Sequence, residues 1–203
     1  MISILDYGVG NLASVRNALA FLGIANETIS SPAQVAACSS LILPGVGAFA
    51  PAMLALEGSG LAGAVATHAK ERQRPVLGIC LGMQLLLDES LELGNHAGLG
   101  LIKGSVRPLS DVVAGLVVPH VGWNDVFPTS SSRLAGDSPG VHAFYFVHSY
   151  YCDVDDRAQV TGTTTYGIEF PSMLERDNVF GCQFHPEKSQ RHGLAILKRF
   201  SEL

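Results

Sequence analysis

Cys80 lies in the segment GICLG, Gly78 to Gly82, where the apolar run VLGIC gives way to a helical pattern. A strand-to-helix elbow of this kind projects one side chain, and amides at a new helix start favour a thiolate and can face an oxyanion. A thiol nucleophile needs a base, and FHPE, Phe184 to Glu187, supplies His185 with Glu187 two positions on. In extended chain, residues i and i+2 face the same way, so Glu187 can orient the imidazole while His185 takes the thiol proton. Pro186 stiffens that geometry. Singly, each residue also fits a bland reading: Cys80 as a buried structural thiol, His185 and Glu187 as ordinary polar positions. Their joint placement points to acyl-transfer chemistry.

Other segments suit the same chemistry. PGVGAF, Pro44 to Phe49, follows an apolar run, and its glycines can turn backbone amides toward a developing negative oxygen. A purely structural turn fits it too. It is not a phosphate loop, because Ala48 and Phe49 follow where a Lys and a hydroxyl residue would be needed, and Gly8 and Gly10 fail the dinucleotide fingerprint. Gln84 falls one helical turn after Cys80, and His148, Ser149 and Tyr150 crowd the end of a strand-like run; both can meet a polar substrate or simply face solvent. Cys182 and His185 are three apart, which permits a zinc shell. No CxxC pair supports one, and alternation puts Cys182 and Phe184 opposite Gln183 and His185, so Cys182 is expected in the core with no metal bound.

The elements that must position these groups follow a repeated order. Ile2 to Leu5 reads as a strand, and Leu12, Val15, Leu19 and Leu22 share one face of a helix that Asn11 can cap and Gly23 can end. Leu41 to Leu43 is a second strand, followed by an alanine-rich stretch toward Lys70 that forms one or two helices; VLGIC and the helix after it repeat the order. A largely parallel sheet flanked by helices is the economical explanation. The second half changes character: Leu101 to Leu109, Val117 to Val126, Val141 to Tyr150, Gln159 to Tyr166 and Val179 to Phe184 read as strands separated by turns, adding antiparallel strands to the sheet. The tail from Gly193 reads as a closing helix with Leu194, Leu197 and Leu203 near one face and Phe200 between them.

Composition bounds the partners. The 203 residues are 47% hydrophobic and 15% charged, enough for one domain spanning 1–203 with a large core. Thirteen basic against eighteen acidic residues leave a formal charge of −5, which argues against nucleic acid. The longest apolar stretch, Val112 to Val118, ends at Pro119, far short of the roughly 20 residues that span a bilayer. The start MISILDYG lacks the basic, apolar pattern of a secretory signal, so a cytoplasmic location is expected, with Cys38, Cys80, Cys152 and Cys182 as reduced thiols.

Taken together, DYGVGN at Asp6 to Asn11, PGVGAF, GICLGMQLL at Gly78 to Leu86 and QFHPEKS at Gln183 to Ser189 resemble the class I, triad-type glutamine amidotransferases. PHVGWN at Pro119 to Asn124 and YFVHSY at Tyr145 to Tyr150 narrow the resemblance to the glutaminase subunits of imidazole glycerol phosphate synthase in histidine biosynthesis. The resemblance runs nearly end to end. It implies an open α/β amidotransferase fold in which Cys80, His185 and Glu187 form the triad and the amides of Gly47 and Leu81 form the oxyanion hole. It also implies that Gln84, Ser149 and Tyr150 position L-glutamine. Asn11, His120, Trp123 and Lys188 would face a TIM-barrel cyclase partner, and neither cofactor nor metal is required. Two other readings stay open on the residues alone: a different thiol hydrolase on a similar sheet, separable by its glutaminase activity, and a non-catalytic binding scaffold, separable by labelling of Cys80.

Overall fold

The computed structural model describes residues 1–136 and 140–203. In chain order the elements are β1 (Ile2–Leu5), α1 (Leu12–Phe21), β2 (Asn26–Ile29), α2 (Pro32–Ala37), β3 (Ser40–Gly45), α3 (Phe49–Gly58), α4 (Leu61–Lys70), β4 (Val76–Cys80) and α5 (Leu81–Leu85). They continue with β5 (Leu87–Ser90), β6 (His96–Ala97), β7 (Ile102–Pro108), β8 (His120–Pro128), β9 (His142–His148), β10 (Tyr150–Val154), β11 (Val160–Tyr166), β12 (Ile168–Arg176), β13 (Val179–Cys182) and α6 (Gln190–Phe200).

Nine strands form the main sheet in the order β2-β1-β3-β4-β13-β12-β11-β8-β9. The half holding β2, β1, β3, β4 and β13 is parallel, and β12, β11, β8 and β9 add antiparallel pairs. Val179 to Phe184, expected among the added antiparallel strands, instead contributes β13, which is parallel to β4 and antiparallel only to β12. Leu101 to Leu109 departs from that expectation. As β7 it pairs with β10 and β5 in a separate four-stranded sheet, so it does not extend the main one.

Alternation along the strands feeds two cores. Leu41 and Leu43 pack on one face of β3 with Phe49, Met53 and Leu61 beneath α3 and α4. Ile42 packs on the other face with Leu77, Ile79, Val15 and Leu19 of α1, and Ile196, Leu197 and Phe200 of α6. Period-2 burial on both faces explains why these strands read as near-continuous apolar runs. Asn11 caps α1 through its side chain, which accepts from Ser14 N at 3.3 Å, and Gly23 follows the helix at φ +70°. The alanine-rich stretch is two helices, α3 and α4, meeting at 88°, and no single helix among the described residues is long and apolar enough to cross a membrane. The closing helix ends at Phe200; Leu203 lies beyond it and is exposed, contrary to its expected place on the packed face.

The helix after Cys80 is shorter than its apolar pattern suggests. α5 has five residues, and the chain re-enters a strand at Leu87, which opens β5 and pairs with Ile102 of β7. A single turn carries little macrodipole, so the elbow's local amides, rather than a long helix axis, face the thiol.

Candidate active site

Cys80 ends β4 with φ +53° and ψ −108°, a conformation that non-glycine residues rarely hold. The turn is possible because its neighbours lack side chains. A Cβ on Gly78 would lie 2.5 Å from the carbonyl oxygen of Gly82, and one on Gly82 would lie 1.8 Å from the carbonyl oxygen of Leu43. The two glycines let α5 fold back tightly on β3 and β4, and that packing holds the strained cysteine in place.

β13 runs parallel beside β4 in register, Gly181 opposite Gly78 and Cys182 opposite Ile79, so the residues just past its end arrive next to Cys80. Two of them point at the thiol's surroundings. Gln183 donates from Nε2 toward Cys80 Sγ at 3.7 Å, and His185, 1% exposed, donates from Nδ1 to Glu187 Oε1 at 2.8 Å. Nε2 of His185 is buried without a hydrogen-bond partner, as is Oε2 of Glu187. The Cys80 sulfur is close enough to couple electrostatically to the ring. Burial pulls the imidazole's pKa down, but the adjacent thiol and the Glu187 carboxylate outweigh it and raise it to about 9. A protonated ring between sulfur and carboxylate is the favoured state at neutral pH.

In front of the thiol opens a cavity of about 370 Å³ lined by Gly47, Cys80, Leu81, Gln84, Ser149 and Tyr150, among others. Both expected oxyanion-hole residues and all three expected substrate-binding residues therefore border one space with the nucleophile. Gly47 adopts φ +102°, and Leu81 opens α5, where a first-turn amide has no partner inside its helix. His185 is not among the lining residues.

Sequence reasoning missed Glu92. It lines the cavity, and its Oε2 accepts from Phe49 N at the start of α3 at 2.7 Å, so a carboxylate is held in the wall of the space the thiol faces. Only the pairing of β5 and β7 brings it there, and an isolated acid in LELGN carries no local signal.

The expected partner-facing residues divide. Asn11 and Lys188 are exposed, and Trp123 is 49% exposed beside Tyr145, whose ring Lys188 Nζ overlies at 5.7 Å. His120 does not face outward. It is 3% exposed, stacked between Phe146 and Tyr166 at 4.9 and 4.1 Å, because its register on β8 turns it to the face opposite Trp123.

A second thiol–imidazole pair exists, Cys38 Sγ 3.7 Å from His68 Nδ1, between α2 and α4. Burial raises the Cys38 pKa and lowers that of His68, so both are driven to their neutral forms, and neither borders the Cys80 cavity. This pair packs two helices together. Cys152 and Cys182 are fully buried, and Cys182 packs in the same core as Phe184. Among the described residues no three His, Cys, Asp or Glu side chains converge on a metal position.

Residues 3–202 match the family model for glutamine amidotransferase class-I. The chain is 52% identical over its full length, and over 94% of the relative, to imidazole glycerol phosphate synthase subunit HisH of Moorella thermoacetica. It is 44% identical to the subunit of that name from Chlorobium luteolum, with all of both chains covered. The chain belongs to the class I glutamine amidotransferases. This amidotransferase also matches more distant members in fold alone. A crystal structure of a glutamine amidotransferase superposes with a TM-score of 0.78 at 18% identity, covering 99% of this chain and 97% of that one. The structure of PurLQS from Thermotoga maritima gives 0.76 at 18%, covering 98% and 96%. In this amidotransferase the thiol and the imidazole come from β4 and the segment after β13, at the carboxyl ends of parallel strands where open α/β sheets bind ligands, and the antiparallel β9–β10 bend completes the cavity.

Proposed function

We propose that the chain hydrolyses L-glutamine to glutamate and ammonia through Cys80, His185 and Glu187, and passes the ammonia to a TIM-barrel cyclase subunit that makes imidazole glycerol phosphate and AICAR in histidine biosynthesis. The observation that carries the chemistry is the strained Cys80 elbow, open to a cavity and coupled to a buried imidazole whose Nδ1 is tied to Glu187.

The thiolate attacks the carboxamide carbon, and the amides of Gly47 and Leu81 receive the developing oxyanion. Protonated His185 gives its Nε2 proton to the departing nitrogen, which leaves as ammonia, and a glutamyl thioester remains. The ring, now neutral, takes a proton from water, which attacks the thioester through a second oxyanion and releases glutamate. Glu187 keeps the ring in the tautomer that points Nε2 forward. Glu92 and Gln84 supply acceptors for the N–H groups of the amino acid, while Ser149 and Tyr150 bound its other end. A cavity this small, with a fixed carboxylate in its wall, suits a free amino acid better than an extended peptide.

Ammonia released to water at neutral pH becomes ammonium and is lost as a nucleophile, which is the physical reason for a sealed path to a partner. Asn11, Trp123 and Lys188 are the exposed groups proposed to meet that partner. The decisive experiment is Cys80→Ala assayed with the cyclase subunit. Glutamine-dependent product falls below detection while ammonia-dependent synthesis continues; loss of both, or retention of glutaminase, rejects the assignment.

A further inference from the structure

The geometry points to His120 and His148 as positioning residues for the glutamine site: hydrogen bonds from the linked pair of rings and from Gln84 converge on the Tyr150 carbonyl and hold the acceptor face of Gln84 toward the ligand. This rests on reading the cavity as a glutamine site. Its placement begins with register: His120 on β8 lies directly opposite His148 on β9, and the antiparallel pairing sets the two rings on the same buried face.

The direction of every bond in the hydrogen-bond chain through the two rings is determined by its end. The carbonyl oxygen of Tyr150 only accepts, so His148 Nδ1, 2.8 Å away, carries a proton and donates. Both rings are neutral, burial holding His148 at about 3 and His120 at about 4. His148 Nε2 is therefore bare and accepts from His120 Nδ1 at 2.9 Å. His120 Nε2 is bare in turn and accepts from Asn124 Nδ2 at 3.2 Å, whose other hydrogen goes to Thr165 O at 2.9 Å. Beyond the Tyr150 carbonyl the chain continues to the thiol. Gln84 Nε2 donates to Tyr150 O at 3.0 Å and to Gln183 Oε1 at 3.1 Å, and Gln183 Nε2 reaches Cys80 Sγ at 3.7 Å.

Both hydrogens of Gln84 Nε2 are thereby committed, and a ligand in the cavity meets Oε1. That oxygen accepts from an N–H of glutamine. Break the link at His120 and His148 Nε2 becomes a buried acceptor without a donor, and the ring loses one of the two hydrogen bonds that fix its orientation. A ring free to turn no longer holds Nδ1–H on Tyr150 O, the carbonyl loses that anchor, and the Gln84 amide that donates to it is placed less firmly.

Two substitutions separate this role from packing. His120→Phe keeps an aromatic ring between Phe146 and Tyr166 but removes the donor, whereas His120→Asn keeps a donor near the Nδ1 position and removes the ring. In glutaminase assays on the complex, H120F raises KM for glutamine roughly tenfold with a smaller change in kcat, and H120N stays within about threefold of the unaltered protein. A purely structural histidine reverses that order, with H120F silent and H120N damaged; that result, or an H120F variant with unaltered KM, overturns the proposal. If H120F does not fold, Asn124→Leu cuts the chain at its partly exposed end and raises KM in the same direction, by roughly threefold; an unchanged KM there also overturns it. An unaltered complex that hydrolyses no glutamine rejects the functional reading itself, a different outcome from any of these.

Discussion

At the scale of single residues, the imidazole of His185 carries both chemistry and stability. Its pKa is raised from 6.5 to about 9 in the fold, so the folded state holds a proton that the unfolded chain releases first as pH rises. The contribution is complete below about pH 6.5 and is lost as pH climbs through about 9. Because the side chain is only 2% exposed, solvent does little to screen it, and the shift corresponds to stability on the order of 3 kcal/mol. Denaturant unfolding at pH 6 and pH 9.5 measures this: the unaltered protein loses stability between the two, His185→Ala loses far less, and Glu187→Gln falls between them because it removes the charge 2.8 Å from Nδ1. Equal losses in all three proteins would contradict the geometry. The triad motifs were legible because each is local, a nucleophile between glycines and a histidine two residues from an acid. Glu92 was not, since its relation to Cys80 exists only after β5 has found β7.

At the scale of elements, the elbow depends on the close approach of α5 to β3. Gly82→Ala drives a methyl against the Leu43 carbonyl at 1.8 Å, and backbone cannot move aside as a flexible side chain would. Urea unfolding is expected to show a loss of about 3 kcal/mol, with reduced labelling of Cys80 by a glutamine-like electrophile. Gly63→Ala on α4 is the contrast. Nothing lies within 4 Å of its added methyl, and relief of helix-interior glycine stabilises by about 0.5–1 kcal/mol. The parallel strands of the first half were readable from apolar runs that end in glycine or proline. β2 was not: NETI is mostly polar and half-exposed at the sheet edge, held by pairing with β1. Nor was β12, where Pro171 interrupts the pattern; it pairs with Thr163 of β11 and lies outside the stretch, Met173 to Arg176, that pairs with β13.

At the scale of the molecule, the exposed face of β8 is the surface proposed to meet the cyclase. Val121, Trp123 and Phe127 alternate along it, all substantially exposed, with Lys188 and Tyr145 adjoining Trp123. A large, half-exposed aromatic with a cation nearby has the chemistry of an interface anchor. Trp123→Ala is expected to weaken the complex at least tenfold in titration calorimetry while shifting the unfolding midpoint of the isolated chain little, because few core contacts are lost. Unchanged affinity would move the anchor elsewhere on the surface. Opposite this face of β8, His120 takes part in the hydrogen bonds that lead through His148 to Tyr150 O, so the strand that carries the proposed docking residues is also connected to the substrate site.

The residue sequence by itself determined the alternation of strands and helices, the glycine-flanked nucleophile, the acid–imidazole pair and the family, because these are properties of neighbours along the chain. The tertiary structure alone decided that Leu101 to Leu109 joins a second sheet, that His120 turns inward while Trp123 turns out, that α5 stops after one turn, and that Glu92 and Gln84 share a cavity. Each of those depends on register between segments far apart in sequence, where one residue of slip exchanges the buried and exposed faces of a strand.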